Sequence, residues 1–146
     1  EVDNILNKKS GMLGLTAEYD ADFNEIEGTA TSDNRTIEGR SKNGDKRAQL
    51  VEQMLCHQLV KYIGGFAAAM GGVDLIIFTG GIGENDKASR GRIMQNMEFL
   101  GIDFDFDLNA NSRGTKMLSK ENSKVKVMVV ETNEELVIAQ DTFSLL

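Results

Sequence analysis

The stretch Leu75-Ile76-Ile77-Phe78-Thr79-Gly80-Gly81-Ile82-Gly83-Glu84-Asn85 decides how the chain is read. Its first four residues are a continuous apolar run, the pattern of a strand buried on both faces. Glycines at 80, 81 and 83 then form a turn in which backbone can approach a ligand without Cβ clashes. A helix is expected next, starting near Asn85 or Asp86, with Ile93, Met97 and Leu100 on its inner face and Gly101 as its stop. Amides at such a helix start suit phosphate or ribose oxygens. The turn has no Gly-Lys-Ser/Thr and so is not a P-loop, and its glycine spacing differs from the dinucleotide fingerprint. On these residues alone, a ligand-binding turn and a tight structural connection both remain open.

Upstream, Leu50, Val51, Met54, Leu55, Leu59, Val60, Ile63, Phe66, Ala67 and Met70 recur at helical spacing. They predict a long helix with a broad buried face, capped by Asn43 or Asp45, able to bend at Gly64-Gly65 and ended by Gly71-Gly72. Earlier still, residues 2–15 suit short helical turns around a Ser10-Gly11 junction, and residues 18–28 read as an acidic surface loop. Downstream, residues 103–109 alternate acidic and apolar side chains and read as a short exposed strand or irregular stretch. Residues 110–123 look loop-like, residues 125–130 form a second Val-rich buried strand, and a last helix runs from Glu134 to about Phe143 behind Thr132 or Asn133. Strand, helix, strand and helix after a long helix indicate α/β architecture.

Composition narrows the function. The 146 residues carry a net charge of −7 and no basic stripe, which argues against general binding to nucleic-acid backbones. No apolar run reaches the roughly 20 residues of a membrane span. Cys56 is the only cysteine and His57 the only histidine, so an intramolecular disulfide and a structural zinc site are excluded. His57 on the long helix reads as structural or exposed. The chain does not begin with Met, a hint of a fragment or processed chain.

Two further segments could carry chemistry. In Thr31-Ser32-Asp33-Asn34-Arg35, an Asp can accept from a ribose diol and an Arg can stack on a base or hold a phosphate. The simpler reading is a capped turn with Ser32 or Asp33 as N-cap. In Glu131-Thr132-Asn133-Glu134-Glu135, carboxylates in a first helical turn offset the helix dipole, and Thr132 with Glu135 matches a capping box. The alternative is a carboxylate that holds Mg²⁺, directly or through water, at nucleotide phosphates. The end of a strand is where open α/β sheets place ligands.

Taken together these blocks resemble the acetate kinase family. The resemblance rests on residues 7–15 (Asn-Lys-Lys-Ser-Gly-Met-Leu-Gly-Leu), Thr31 to Arg35, Lys61-Tyr62-Ile63-Gly64, Phe78 to Asn85, and Thr132-Asn133-Glu134-Glu135-Leu136-Val137-Ile138-Ala139. They occur in the family's order and cover nearly the whole chain. The resemblance implies an α/β fold: a partial ribonuclease H-like (actin-like ATPase) domain with a long helix, few sheet strands and flanking helices, of the acetate and sugar kinase/Hsc70/actin superfamily. Residues 1–132 would be the C-terminal part of the nucleotide-binding domain, and residues 133–146 a terminal helix packing on an N-terminal domain.

The same resemblance implies Mg²⁺-dependent transfer of the ATP γ-phosphoryl to acetate, giving acetyl phosphate and ADP, in a cytoplasmic homodimer that forms through this domain. Asp33, Asn34 and Arg35 would contact the adenosine part of the nucleotide. Gly81, Ile82, Gly83, Glu84 and Asn85 would form the glycine-rich wall of that site, and Glu134 would be the Mg²⁺-associated carboxylate. The chain departs from the family in three places. Asn34 stands where an apolar or aromatic residue is frequent, Glu131 where a proline often precedes the Thr-Asn-Glu-Glu block, and residues 17–30 are longer than the usual connection. The His-Leu-Gly-Asn-Gly phosphate loop and the catalytic Arg, Asp and His residues have no counterpart among these 146 residues. The chain alone is therefore expected to lack acetate kinase activity, with a non-catalytic nucleotide-binding or assembly module, or part of a propionate kinase, as alternatives.

Overall fold

The structure, a computed structural model, describes residues 1–145. It divides into two compact units, Glu1–Leu59 and Val60–Leu146. In the first, α1 (Val2–Lys8) and α2 (Gly11–Thr16) meet at the Ser10-Gly11 junction, as the sequence predicts. They are followed by α3 (Asn34–Lys42) and the beginning of α4 (Lys46–Met70). Ile37, Ala48 and Val51 form the core of this unit, with Met12 and Leu15 packed against it.

Residues 17–30 make a hairpin-like excursion, exposed over residues 18–28, in which Tyr19 bridges Glu25. Its base is closed by the Thr16 hydroxyl, which accepts from the Thr31 amide at 2.7 Å and donates to the Thr31 carbonyl at 2.8 Å. Arg40 donates to the Thr29 carbonyl and to the Glu18 and Asp45 carboxylates, and Arg47 donates to the Ala17 carbonyl. At the tip, Phe23 is 87% exposed and adopts φ +62°, a conformation that β-carbon-bearing residues rarely take.

Asp45 caps α4, its Oδ1 accepting from the Arg47 and Ala48 amides, and Gly71 ends the helix at φ +73°. The helix continues through Gly64-Gly65. The predicted broad buried face is not found. Ala48, Val51, Glu52, Cys56 and Ala67 are buried, whereas Leu50, Met54, Tyr62, Phe66 and Met70 are exposed. Periodicity shows that a face is apolar; it does not show that this chain covers it. His57 is exposed, as expected.

The second unit is built on a three-stranded sheet ordered β1-β3-β2. β1 (Leu75–Phe78) pairs in parallel with β3 (Lys126–Val129), from Leu75 opposite Lys126 to Phe78 opposite Val129. β2 (Lys116–Met117) runs antiparallel to β3. Val125, Val127, Val129 and Leu118 join Ile93, Met94, Met97, Ile102 and Phe104 in the buried core. β1 is an edge strand of the described sheet, and Leu75 and Ile77 are exposed, which corrects the expectation of burial on both faces.

Between β1 and β2 lie α5 (Gly80–Asn85), α6 (Lys87–Met94), a 3-10 turn (Glu98–Leu100) and α7 (Phe106–Asn111). The helix predicted to reach Leu100 stops at Met94, though Met97 is buried and Gly101 does terminate the 3-10 turn at φ +84°. α7 replaces the predicted strand or irregular stretch. Asp105 caps it by accepting from the Leu108 amide at 2.7 Å, an N-cap hidden by the alternation around it. α8 (Glu134–Ser144) follows β3 as predicted, and every residue from 131 to 145 is exposed. Among the described residues no helix is long and apolar enough to cross a membrane.

Candidate functional site

The two parallel strands β1 and β3 end side by side, and the Val130 amide donates to the Phe78 carbonyl at 2.9 Å. The segment Thr79–α5 leaves one strand and residues 131–133 leave the other, both at the carboxyl edge where open α/β sheets bind ligands. Both sequence motifs of this unit therefore lie at one edge.

The glycines do not form a turn ahead of a helix. They form α5 itself, and the next helix, α6, is capped by Asp86, whose carboxylate accepts from the Ser89 amide and hydroxyl. Gly80 opens α5 at φ +70°. Gly83 is tightly packed, since a Cβ there would lie 3.1 Å from the Phe78 carbonyl carbon. Gly81 is different: a Cβ there would meet nothing within 4 Å. Asn85 turns back and donates from Nδ2 to the Gly81 carbonyl at 2.9 Å.

Glu84 ties the two segments together. Its Oε1 accepts from the Gly80 amide at 3.0 Å, from the Thr132 amide at 2.8 Å and from the Thr132 hydroxyl at 2.8 Å. The Thr132 amide and hydroxyl, with a smaller contribution from the Gly80 amide, hold its carboxyl below the usual carboxylate range. Thr132 is thus not the N-cap of α8. Asn133 is, accepting from the Leu136 amide at 2.9 Å, and the predicted Thr132–Glu135 capping box is replaced. Glu134 lies exposed in the first turn of α8.

Arg90 holds the other end of α5. Buried at 1% exposure, it donates to the Gly83 and Glu84 carbonyls, both at 2.7 Å, and to Asn109 Oδ1 at 2.8 Å. Burial lowers its pKa, and the Asp86 charge opposes that shift. Sequence reasoning missed this residue. Its signal was position: Arg90 lies on the same face of α6 as Ile93 and Met94, where only a partnered cation is tolerated. A cleft beside Glu84 and Asn85 is completed by Lys87, Ser112, Arg113, Gly114, Val129 and Glu131.

The third motif lies in the first unit. Asp33 is the N-cap of α3, accepting from the Thr36 hydroxyl at 2.7 Å and the Thr36 amide at 3.0 Å, and these bonds lower its pKa. Asn34 is the first residue of α3, and the Arg35 side chain is almost fully exposed. The capped-turn reading therefore holds for Asp33. Asp33, Asn34 and Arg35 belong to one unit, and Gly81, Ile82, Gly83, Glu84, Asn85 and Glu134 to the other.

The sequence profile described as the Acetokinase family matches residues 1–140. The chain belongs to this family. It is 46% identical to an acetate kinase of Coprothermobacter proteolyticus over 145 residues, covering 99% of the chain and 33% of that relative. Among solved structures it is similar to acetate kinase of Porphyromonas gingivalis, with a TM-score of 0.81 and 44% identity over 98% of this chain and 33% of that one. A propionate kinase of Francisella tularensis is more distant, at a TM-score of 0.75 and 32% identity over 95% of this chain and 32% of that one. The chain thus spans about a third of the length of the acetokinase-family relatives it matches. The expected α/β architecture, with few strands and flanking helices, agrees with these acetokinase structures and their actin-like ATPase fold.

Proposed function

We propose that this chain is the nucleotide-binding part of an acetokinase that transfers the ATP γ-phosphoryl to acetate, giving acetyl phosphate and ADP. The observation that carries the reading is α5, whose Gly-Gly-Ile-Gly-Glu-Asn sequence sits at the carboxyl edge of the parallel strands. Gly81 leaves its backbone open to close approach, which suits the flat nucleoside half of ATP or ADP. The family resemblance assigns Asp33, Asn34 and Arg35 to the adenosine, and the Arg35 guanidinium, exposed with its Nε 3.9 Å from Asp33 Oδ1, is of the type that stacks on a base or meets a phosphate. Mg²⁺ fits one exposed carboxylate, Glu134, better than a protein cage: Mg²⁺ keeps several waters and binds through few carboxylates and substrate phosphates. Among the described residues no cluster of three His, Cys, Asp or Glu side chains is placed to hold a metal by itself. When bound, the ion would offset negative charge on the phosphates. This chain's own residues bind and orient the nucleotide for transfer.

The exposed α8, with Leu136, Val137 and Ile138, is the segment that would pack on an N-terminal domain, leaving residues 1–132 as the nucleotide-binding part. Tyr62 and Phe66, stacked with ring centres 6.3 Å apart, and Met70 make the face of α4 through which a cytoplasmic homodimer would form. The acetate relatives are closer to this chain than the propionate kinase is, so acetate is the acceptor of choice.

Calorimetric titration of the 146-residue chain with ATP and Mg²⁺ tests the reading. Saturable binding is expected, and Gly81→Leu should weaken it about tenfold or more, while helix propensity leaves stability unchanged or raises it by up to about 0.8 kcal/mol. Equal affinity in the variant would remove α5 from the nucleotide site. With acetate added and acetyl phosphate trapped by hydroxylamine, the chain alone should give no turnover.

A further inference from the structure

We infer that Glu84 and Thr132 form a latch across the carboxyl edge of the sheet, holding α5 and the start of α8 in one arrangement as positioning residues for the nucleotide. α5 has little order of its own: it spans six residues, three of them glycine, and glycine is a poor helix former. Its N-cap residue, Thr79, makes no side-chain cap bond. The first-turn amide of Gly80 is satisfied instead by Glu84 from the far end of the same helix. The oxygen that accepts from Gly80 also accepts both bonds from Thr132, 48 residues away in sequence. One carboxylate oxygen thereby receives a donor from inside α5 and two from the segment that precedes Asn133, the N-cap of α8.

A charge-assisted contact of this kind is shorter and stronger than a neutral hydrogen bond, and it is specific in direction. The latch joins two segments that no strand pairing connects, since β1 ends at Phe78 and β3 at Val129. It also changes the expected role of Glu84, from a wall of the ligand site to a group that shapes that wall. Glu134 lies two residues beyond Thr132, so the same contact fixes where the first turn of α8 begins. The contact stands on its geometry alone. Its consequence for ligands rests on the nucleotide reading given above.

The experiment is hydrogen exchange on the 146-residue chain and four variants, read on peptides covering residues 79–86, 130–136 and 126–129, paired with ATP titrations in Mg²⁺. Glu84→Ala should lower protection in the first two peptides together and leave the β3 peptide unchanged. Thr132→Val removes only the hydroxyl donor and should give a smaller loss at the same two places. Thr132→Ser should restore protection, and Glu84→Gln, which keeps an acceptor without the charge, should fall between. ATP affinity should follow the same order, weakening about tenfold in Glu84→Ala, as expected for loss of a charged hydrogen-bonding group. A change confined to one peptide, or none in either, would overturn the latch. Unchanged ATP affinity with coupled loss of protection would overturn its positioning role. Absence of saturable ATP binding in the wild type would instead count against the nucleotide reading, while the exchange data still decide the contact.

Discussion

Gly81 and Gly83 lie two residues apart and answer to different constraints. A side chain at Gly83 crowds the backbone of Phe78 at 3.1 Å, so substitution there mixes a packing effect with any effect on a ligand. Gly81 faces open space and is the position that separates binding from stability. Glu84 is the other informative residue of this segment, because its three hydrogen bonds favour the ionised form. Its carboxyl in the folded chain titrates below the ordinary value of 4.5. The sign follows: the contact contributes fully above pH 4.5 and is lost as pH falls through the lower folded value. Following the Thr132 and Gly80 amide resonances from pH 7 into acid should give a midpoint below 4.5. A midpoint at or above 4.5 would mean that the contact does not favour the carboxylate.

At the scale of elements, α5 is held from both ends, and Arg90 accounts for its C-terminal grip. Replacing Arg90 with Met leaves the Gly83 and Glu84 carbonyls without their guanidinium donor. An orphaned buried group costs about 1–3 kcal/mol and these two carbonyls are part-buried, so thermal denaturation should show a loss of about 1–3 kcal/mol. Arg90→Lys should recover little, because one ammonium cannot span two carbonyls and Asn109 in a planar fork. This element also marks the limit of what the sequence discloses. The long helix α4, β1, β3 and α8 were legible because periodicity and apolar runs extend over enough residues to register. The caps at Asp45 and Asn133 were legible because their residue types sit at helix starts. α7 was not, since the alternation Asp103-Phe104-Asp105-Phe106-Asp107, which runs into its first turn, imitates a strand. The glycine segment was located correctly, but its helical conformation was hidden, because the tethers that stabilise it come from Arg90 and Thr132, distant in sequence or unremarkable in type. Asp33 shows the converse: a cap at Ser32 or Asp33 was readable from their residue types, whereas contact with a nucleoside is not a local property.

Across the whole molecule, apolar surface is unevenly covered. Phe66 and Met70 are 62% and 65% exposed on α4, and Tyr62 stacks beside them. A face of that kind invites association. Light scattering after size exclusion should therefore find the wild-type chain as a dimer or larger, and Phe66→Glu should shift it toward monomer with little change in thermal stability, since the side chain is largely exposed. A monomeric wild type would remove α4 from the proposed interface. The sheet has a separate consequence in time. Among the described residues β1 pairs only with β3, and Ile76 faces Val127, so the pairing must close a loop of roughly 50 residues before it is rewarded. At a synthesis rate of about 5–20 residues per second, β1 emerges several seconds before β3 exists. During that interval its apolar edge lacks β3. The appearance of β3 and of Thr132 behind it, not that of the glycine motif, therefore governs when β1 and β3 pair and when α5 acquires the neighbour to which Glu84 binds.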